Sequence, residues 1–157
     1  MDQNALLSRT FVLADESRSD GDHPFGALLA VDGEIVAEAH NRVNTKRDLT
    51  AHAEARLVRV LEQADLLGEL PLGTVYASCE PCPMCVGAMF WAGARRVVFG
   101  LSHVRLSELA APPGADPWGF IISAAEIGER AMPPMKFSGP HREDEAAQAH
   151  LGFWVTS

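Results

Sequence analysis

Residues 74–101, TVYASCEPCPMCVGAMFWAGARRVVFGL, decide the fold. The run TVYASC has the composition of a strand, and RRVVFGL at 95–101 predicts another strand. Between them, PMCVGAMFWAG predicts a helix that ends at Gly93, with Pro81 in its first turn, where proline is tolerated. The stretch therefore predicts a strand, a helix and a strand in succession.

The segments before this stretch extend the alternation of helices and strands. Apolar residues within 2–18 recur at the spacing of one helix face. The run GALLAVDGEIVAEAHN predicts a β-hairpin around Asp32-Gly33, with strands at about 26–31 and 34–40. A helix is predicted over about 51–65, and the resulting order of α, β-hairpin, α, β, α, β predicts an α/β layered domain with helices covering a central sheet.

The chain changes character after Ala110. Prolines and glycines up to Pro140 predict loops around one or two short elements near 120–129. Residues 143–154 predict a helix that ends in an exposed aromatic pair. The length of 157 residues fits one domain, 1–157, with a single core.

The composition indicates where the protein is located and what kind of site its cysteines form. No run approaches the roughly 18 apolar residues that a membrane span needs, and the N-terminus lacks the pattern of a signal peptide. The three cysteines, Cys79, Cys82 and Cys85, lie within one short stretch, a poor disulfide framework and a good metal or thiolate cluster. We therefore expect a cytoplasmic protein with no membrane partner.

The net charge of −8 argues against nucleic acid as a partner. Nucleic-acid binders neutralise several phosphates with clustered basic side chains, and the sequence offers only the adjacent Arg95 and Arg96. A small-molecule substrate is favoured.

Two short motifs carry the candidate chemistry. Thr50-Ala51-His52-Ala53-Glu54 begins one predicted helix, for which Asp48 and Thr50 are the candidate caps, and Glu80-Pro81-Cys82-Pro83-Met84-Cys85 begins another. Cys82 and Cys85 are three residues apart, so they project to nearly the same side of a helix and can hold one ion. A helix N-terminus also favours the thiolate form that binds zinc.

The spacing of His52 and Glu54 places the metal off the end of the helix. Two residues correspond to about 200° around an ideal helix, so both side chains cannot face an ion on the helix flank. With His52, Cys82 and Cys85 as ligands, tetrahedral zinc keeps a fourth position for water, which is typical of a catalytic site. Glu54 is then the candidate general base and acid for that water and for the departing amine.

Two other interpretations of the cysteines stay open. Cys79 could complete a closed structural zinc site, and a CxxC pair could be redox-active. Strand alternation argues against the first, because Val75, Ala77 and Cys79 fall on one face and Cys79 is then a buried strand residue. The redox alternative lacks a thioredoxin-like context.

Together, HAE at 52–54 and PCPMC at 81–85 resemble the zinc motifs of the cytidine deaminase superfamily. TAHAE, SCEPCPMCVGAMFWA and GEIVAEAHNRV are similar to those of bacterial guanine deaminases, and the likeness covers roughly residues 20–101. The resemblance implies a three-layer α/β/α fold with a central mixed sheet of about five strands. It also implies one zinc ion per chain and a homodimer, for which the apolar helix at 87–93 is a candidate surface.

The resemblance also implies roles in substrate binding. Asn41 would hydrogen-bond the base, and Phe25 would stack on it. The backbone amides of Ala53 and of the region around Cys82 would face the reacting carbon. Ser78, with the residues up to Glu80, would line the mouth of the site.

The C-terminal part would close the site. The family uses a C-terminal aromatic residue, for which Phe153 or Trp154 is the candidate, so residues 141–157 are a possible lid. It also uses a late acidic residue, for which Asp116 is the candidate. His23 lies near the predicted pocket, so a contact with the substrate is one interpretation, but a histidine in a solvated loop is preferred. Trp91 is assigned to the core or a dimer interface, and Met84 to packing.

The sequence thus predicts a zinc-dependent hydrolytic deaminase of an amino-substituted free nucleobase, guanine or a related base such as isoguanine, cytosine or an aminotriazine. A nucleoside deaminase and a tRNA adenosine deaminase share the zinc motifs and stay as alternatives, although the second would be expected to show a basic surface. A non-catalytic zinc module is a further alternative. In such a module the carboxyl group of Glu54 would have no function.

Overall fold

The computed structural model describes residues 1–116 and 119–154. Over these residues the chain forms a five-stranded mixed sheet in the order β2-β1-β3-β4-β5. The first two strands pair antiparallel, β3 is antiparallel to β1, and β4 and β5 continue parallel to β3. In chain order the strands are β1 Gly26–Val31, β2 Glu34–His40, β3 Thr74–Cys79, β4 Arg96–Leu101 and β5 Lys136–Ser138.

Helices flank the sheet on both sides. The α-helices within the described residues are α1 Gln3–Ser19, α2 Val43–Lys46, α3 Ala53–Gln63, α4 Pro83–Ala92, α5 His103–Ala110, α6 Ala124–Arg130 and α7 Glu143–Ala146. Short 3-10 turns occupy Leu67–Glu69 and Gln148–His150. In the part of the chain that is described, no helix has the length and hydropathy to cross a membrane.

The core is divided into two main clusters by the sheet. On one side α1 packs Leu6 and Leu7 against Leu28 of β1 and Tyr76 of β3. On the other side α3, α4 and α6 pack against the opposite faces of the same strands, with Leu57 and Leu61 among the fully buried side chains. This arrangement confirms the predicted α/β/α layers and the mixed sheet of five strands.

The predicted hairpin is confirmed to the residue. Asp32 and Gly33 both have positive φ, 51° and 81°, as a two-residue turn between twisted strands requires. At the start of β1, a Cβ on Gly26 would lie 2.4 Å from Leu13 Cβ, so glycine here lets α1 approach the sheet closely.

Three predictions about local structure are wrong in detail. The PCPMC helix begins at Pro83, so Pro81 lies before it rather than in its first turn. The helix predicted from 51 begins at Ala53, and Asp48 accepts from Thr50 instead of capping it. The predicted helix over 143–154 is a single turn, α7, followed by a 3-10 turn.

Two features of the structure were not anticipated in the sequence. Helix α5 directly follows β4, with Ser102 as its N-cap.

Buried Asp22 accepts hydrogen bonds from the backbone of Asn44 and from both the backbone and the hydroxyl of Thr45. Although burial raises the pKa of Asp22, the hydrogen bonds from Thr45 and Asn44 lower it overall, and the charged carboxylate fixes α2 beside the start of β1.

Candidate metal centre and active-site cavity

The candidate ligands lie at the start of two helices. His52 immediately precedes α3 and Cys82 immediately precedes α4, and both have extended backbones, with ψ of 154° and 164°. Neither side chain makes a capping hydrogen bond to its own helix. Both side chains therefore remain available beyond the helix ends, where Cys85 from the first turn of α4 joins them.

The three side chains form the one group of potential metal ligands found within the described residues. His52 Nδ1 lies 3.6 Å from Cys82 Sγ and 3.6 Å from Cys85 Sγ. Tetrahedral zinc with ordinary Zn–N and Zn–S bonds holds such a pair about 3.6 Å apart. The arrangement fits one zinc per chain.

Cys79 does not belong to this group. It is 3% exposed at the end of β3 and packs with Leu101, Ala146 and Ala147. The structure thus agrees with the assignment of Cys79 to the core and gives no support to a closed four-ligand site.

The charges of the group suit a cation. A hydrogen bond from the Cys85 thiol, followed by the contact with His52, lowers the pKa of Cys82 to about 4. The nearby helix N-terminus acts in the same direction. A thiolate at Cys82 is thus favoured, whereas the hydrogen bond to Cys82, followed by burial, raises the pKa of Cys85, which keeps its proton until a metal replaces it.

Glu54 lies beside the ligands without belonging to them. It is the second residue of α3, is 7% exposed and lines the same cavity as His52 and Cys82. Burial raises the pKa of its carboxyl group. A buried carboxyl group next to a metal site, and outside the ligand set, can move protons.

The cavity at this centre has a volume of about 430 Å³. Its wall is formed by residues of the loop after α1, of the N-terminal ends of α3 and α4, of α5 and of the tail. Its lining consists of His23, Phe25, Leu49, His52, Glu54, Glu80, Cys82, Met84, His103, Leu106, Ser107, Ala110, Gly119, Phe120 and Trp154. This wall is mainly apolar with a few polar groups, as is usual for small-molecule sites.

Aromatic rings form one side of the cavity. Trp154 lies 6.2 Å from Phe25 and 5.3 Å from His23, measured between ring centroids. His150 is 1% exposed, packs 5.1 Å from Phe25 and accepts a hydrogen bond from Trp154 Nε1 through its Nδ1. The tail therefore reaches its own chain's cavity.

Arg18 of α1 fixes the tail in this position. Its Nη1 donates to the carbonyl oxygens of Ala149 and Leu151, at 2.8 and 2.9 Å. Its guanidinium lies 5.8 Å from the centroid of Phe153. These contacts join the tail to α1 beyond the point where α7 ends.

Glu80 organises the opposite side of the cavity. Its two carboxylate oxygens accept from the backbone N–H groups of His103 and Ala124, which begin α5 and α6, each at 2.9 Å. One carboxylate thereby joins two helix N-termini, where negative charge is stabilised.

The residues proposed for substrate binding are only partly brought together. Phe25 and Trp154 line the cavity, and Ala53 lies fully buried at the start of α3. Asn41 is 1% exposed, does not line the cavity, and its Oδ1 accepts from Val43 N. Among the described residues that form the wall, Glu80 is present and Ser78 is not, because the buried Ser78 hydroxyl accepts from Gly26 N.

Asp116 is exposed and lies away from the cavity wall. It follows α5 in a segment without helix or strand. The expectation of an acidic residue from this loop is therefore not met by Asp116.

Several wall residues differ from the sequence-based interpretations. His23 lines the cavity instead of a solvated loop, because Phe153 and Trp154 pack over it. Met84 is 41% exposed and lines the cavity instead of the core. His103, which no sequence pattern singled out, also lies in the wall.

Comparison with known proteins identifies the family. Residues 1–101 match the cytidine and deoxycytidylate deaminase zinc-binding region. The chain belongs to this deaminase family. It is therefore a zinc-dependent deaminase, and the His/Cys/Cys group is the part of the structure that fits the metal.

The proteins similar to this deaminase match different fractions of its chain. It is 38% identical to the probable cytosine deaminase of Schizosaccharomyces pombe over 96% of the chain and 91% of that protein. It is 40% identical to the guanine deaminase of Bacillus subtilis over 69% of the chain and 70% of that protein. The X-ray structure of the B. subtilis guanine deaminase superposes with a TM-score of 0.63 over 74% of the chain and 73% of that structure, at 39% identity.

Proposed function

We propose that this deaminase hydrolyses the exocyclic amine of a free nucleobase, with cytosine or guanine as substrate, and releases ammonia. The observation that carries the proposal is the buried carboxyl group of Glu54, which lines a cavity of about 430 Å³ next to His52 and Cys82. A purely structural zinc site has no use for this carboxyl group or for the cavity.

The chemistry divides between the metal and the protein. Zinc, when bound by His52, Cys82 and Cys85, lowers the pKa of a water molecule towards neutrality. Glu54 accepts a proton from the attacking water at a carboxylate oxygen and returns protons to the ring nitrogen and to the departing amine. A carbon–oxygen bond forms, the carbon–nitrogen bond breaks, and ammonia leaves.

Binding of the base follows from the wall of the cavity. Phe25 and Trp154 supply the aromatic surface on which a flat ring packs. The backbone N–H of Ala53, at the first turn of α3, lies where helix amides have no partner within the helix. Asn41 stays in the proposal as a second contact with the base; since its side chain is buried outside the described cavity wall, this contact requires a local movement when the base binds.

A free base is favoured over RNA. The net charge is −8, and Arg9, Arg18 and Arg142 are engaged in contacts within the chain. Trp154, from the chain's own tail, forms part of the cavity wall.

We propose cytosine as the preferred substrate, although the sequence motifs alone favour guanine. The similarity to the S. pombe probable cytosine deaminase extends over 96% of the chain, so it includes most of the segment after β4. The match to B. subtilis guanine deaminase spans 69%. Residues after β4 supply much of the cavity wall, so similarity in this part bears on the substrate.

The proposal also includes a cytoplasmic homodimer. Met84 and Trp91, seven residues apart on α4, lie on the same side of the helix and are 41% and 86% exposed. Exposed apolar side chains in such an arrangement are typical of a protein contact. Trp91 is not a core residue, so of its two predicted roles only the interface is retained.

An ammonia-release assay tests the function directly. Zinc-loaded protein should deaminate cytosine, guanine or both in preference to cytidine, guanosine and an adenosine-containing tRNA anticodon stem-loop. Activity confined to a nucleoside or to RNA would refute the free-base assignment, and light scattering on the same sample would show whether a dimer forms.

A further inference from the structure

The active-site cavity is larger than an unsubstituted base requires. Its volume of about 430 Å³ lies within the range of about 300–1,000 Å³ that is usual for drug-sized ligands. The attacking water takes only about 30 Å³ of this space. A free base consists of one ring or two fused rings, so room is left beyond the ring that reacts.

The two ends of the cavity differ in burial. At the metal end, the ligand Cys85 is fully buried and Glu54 is 7% exposed. Leu49, Met84 and Phe120 line the same cavity, yet they are 82%, 41% and 65% exposed. We call these three side chains the apolar rim. Because the metal end is buried and the rim is open to solvent, the rim lies at the mouth of the cavity.

We propose that the cavity accepts, and prefers, bases that carry a small apolar substituent on the ring edge opposite the reacting amine. The substituent packs against the apolar rim. The reaction stays the same: water replaces the exocyclic amine, and ammonia leaves. This inference rests on the proposed free-base deaminase function and adds a class of substrates to it.

The direction of the substituent follows from the position of the reacting group. The carbon that carries the amine must lie beside Glu54, at the buried end of the cavity. In cytosine, N1 lies directly across the ring from that carbon, and in guanine C8 lies on the side of the second ring that is remote from the amine. A substituent on either atom therefore points away from the buried end and towards the mouth.

The turn that carries Leu49 is fixed by its neighbours. The Asp48 carboxylate accepts from the backbone N–H and the hydroxyl of Thr50, at 2.9 and 2.6 Å. The carbonyl of Asp48 accepts from the backbone N–H of Ala51 at 3.0 Å. Leu49 is thus held at the mouth, outside the core, and its position need not be ordered when a ligand binds.

Phe120 lies between two anchored points. Before it, Gly119 packs against the start of α5, where an added Cβ would lie 3.0 Å from His103 Nε2. After it, the backbone N–H of Ala124 donates to the Glu80 carboxylate at 2.9 Å. These contacts connect the segment that carries Phe120 to α5 and to the loop of the zinc ligands.

The wall near the mouth suits an apolar group better than a sugar. The three rim side chains carry no hydrogen-bond donor, and the Ser107 hydroxyl already donates to the carbonyl of His103 at 2.9 Å. Both carboxylate oxygens of Glu80 accept from backbone N–H groups. Hydroxyl groups placed here would lose water without gaining partners, whereas an alkyl group would bury apolar surface.

The rim is continuous with the catalytic cavity, which favours a substrate over a protein as its occupant. Its members come from the loop before α3, from α4 and from the segment before α6, yet all three line the one cavity that contains His52 and Glu54. Exposed apolar side chains grouped in this way are typical of a binding site. A second copy of the chain is the rival occupant, and the test separates the two.

The test compares matched substrates in an ammonia-release assay of the zinc-loaded protein. Cytosine is compared with 1-propylcytosine and 1-(2,3-dihydroxypropyl)cytosine, and guanine with the same two substituents at C8. The substituents share one carbon skeleton and differ only by two hydroxyl groups. On the parent base that the wild type deaminates, we expect kcat/KM for the propyl substrate to exceed that for the dihydroxypropyl substrate about tenfold or more, mainly through KM.

Variants of the rim locate the preference. L49S and F120S should each reduce the propyl preference about three- to tenfold, because each removes apolar surface from the mouth. L72S and I121S are the matched controls, since Leu72 and Ile121 are exposed but do not line the active-site cavity. Both controls should keep the wild-type preference. Zinc content and light scattering are recorded for every protein.

The possible results are distinct. Equal kcat/KM for the propyl and dihydroxypropyl substrates in an active wild type would overturn this inference and leave the proposed function standing. An unchanged preference in L49S and F120S, together with a changed oligomeric state, would assign the rim to a second copy instead. Absence of wild-type activity on every base would overturn the proposed function and this inference together. The wild-type comparison decides the matter even if a rim variant does not fold.

Discussion

His52 and Cys82 occupy equivalent positions on two helices, each one residue before the first helical residue, and His52 Nδ1 lies 3.6 Å from Cys82 Sγ. The ends of α3 and α4 thus converge on one point. Their N-terminal partial positive charges favour a thiolate there, and the thiolate in turn attracts a cation. The sequence places two helix starts together to build one metal site.

Loss of the Glu54 carboxylate should abolish turnover while the metal stays. In E54Q the volume of the side chain is kept but its ability to accept a proton is lost, so we expect kcat to fall by about 10²- to 10⁴-fold. Ammonia release and zinc content by elemental analysis are measured on the same preparation. E62Q, an exposed position on the same helix, should behave like the wild type. An active E54Q would remove the proton-transfer role.

Replacement of one cysteine ligand should release the metal. C82S or C85S exchanges a thiolate for a hydroxyl, which binds zinc poorly, and part of the folding free energy is expected to go with the ion. C79S changes the third cysteine, which lies in the core and outside the ligand group, and should keep one zinc per chain. Full zinc occupancy in C82S, or zinc loss in a folded C79S, would contradict the assignment.

Removal of the Trp154 ring should weaken substrate binding. The indole contributes to the aromatic side of the cavity, and stacking of a base on an aromatic ring is worth about 1–3 kcal/mol, so KM in W154A should rise about tenfold. Deletion from Gly152 onward should act in the same direction. L151A changes an exposed tail residue but keeps the backbone carbonyl that Arg18 binds, and serves as the control. An unaltered KM in W154A would show that the tail does not contribute to the site.

Acid should destabilise the protein partly through His150. Burial, followed by the charge of Arg18, lowers the pKa of this histidine from 6.5 to about 4, so the folded state keeps it neutral. Its contribution is complete above pH 6.5 and is lost progressively as the pH falls towards 4, by about 3 kcal/mol over that range. Urea unfolding at a series of pH values should show a shallower decline for H150Q than for the wild type or H141Q. Parallel declines in all three proteins would refute this account.

The order of elements up to β4 could be predicted because the local signals agree with the tertiary structure. The turn at Asp32-Gly33 fixes the hairpin, and the apolar face of α1 is the face that the sheet buries. The position of the fifth strand, Lys136–Ser138, could not be predicted, because three residues carry too little pattern to distinguish a strand from a loop.

The metal group was predictable for a different reason. Cys82 and Cys85 are three residues apart at one helix start, so their spacing gives their geometry, and His52 was added to them because the two motifs are specific as a pair. The cavity wall beyond them is assembled by long-range contacts, such as Arg18 with Ala149 and Glu80 with Ala124. No local pattern encodes those contacts, which is why His103 was missed and Asp116 was misplaced.

The double role of Glu80 has a consequence for how enzymes of this type can diverge. The metal loop and the far wall of the cavity meet at the Glu80 carboxylate, whose hydrogen bonds within residues 1–116 and 119–154 come from backbone N–H groups of α5 and α6. Any amino acid except proline offers such a group. The stretch from α5 to α6 can therefore exchange its side chains, and with them its substrate, while the attachment to the catalytic loop persists. New specificity can evolve on this side without rebuilding the chemistry on the other.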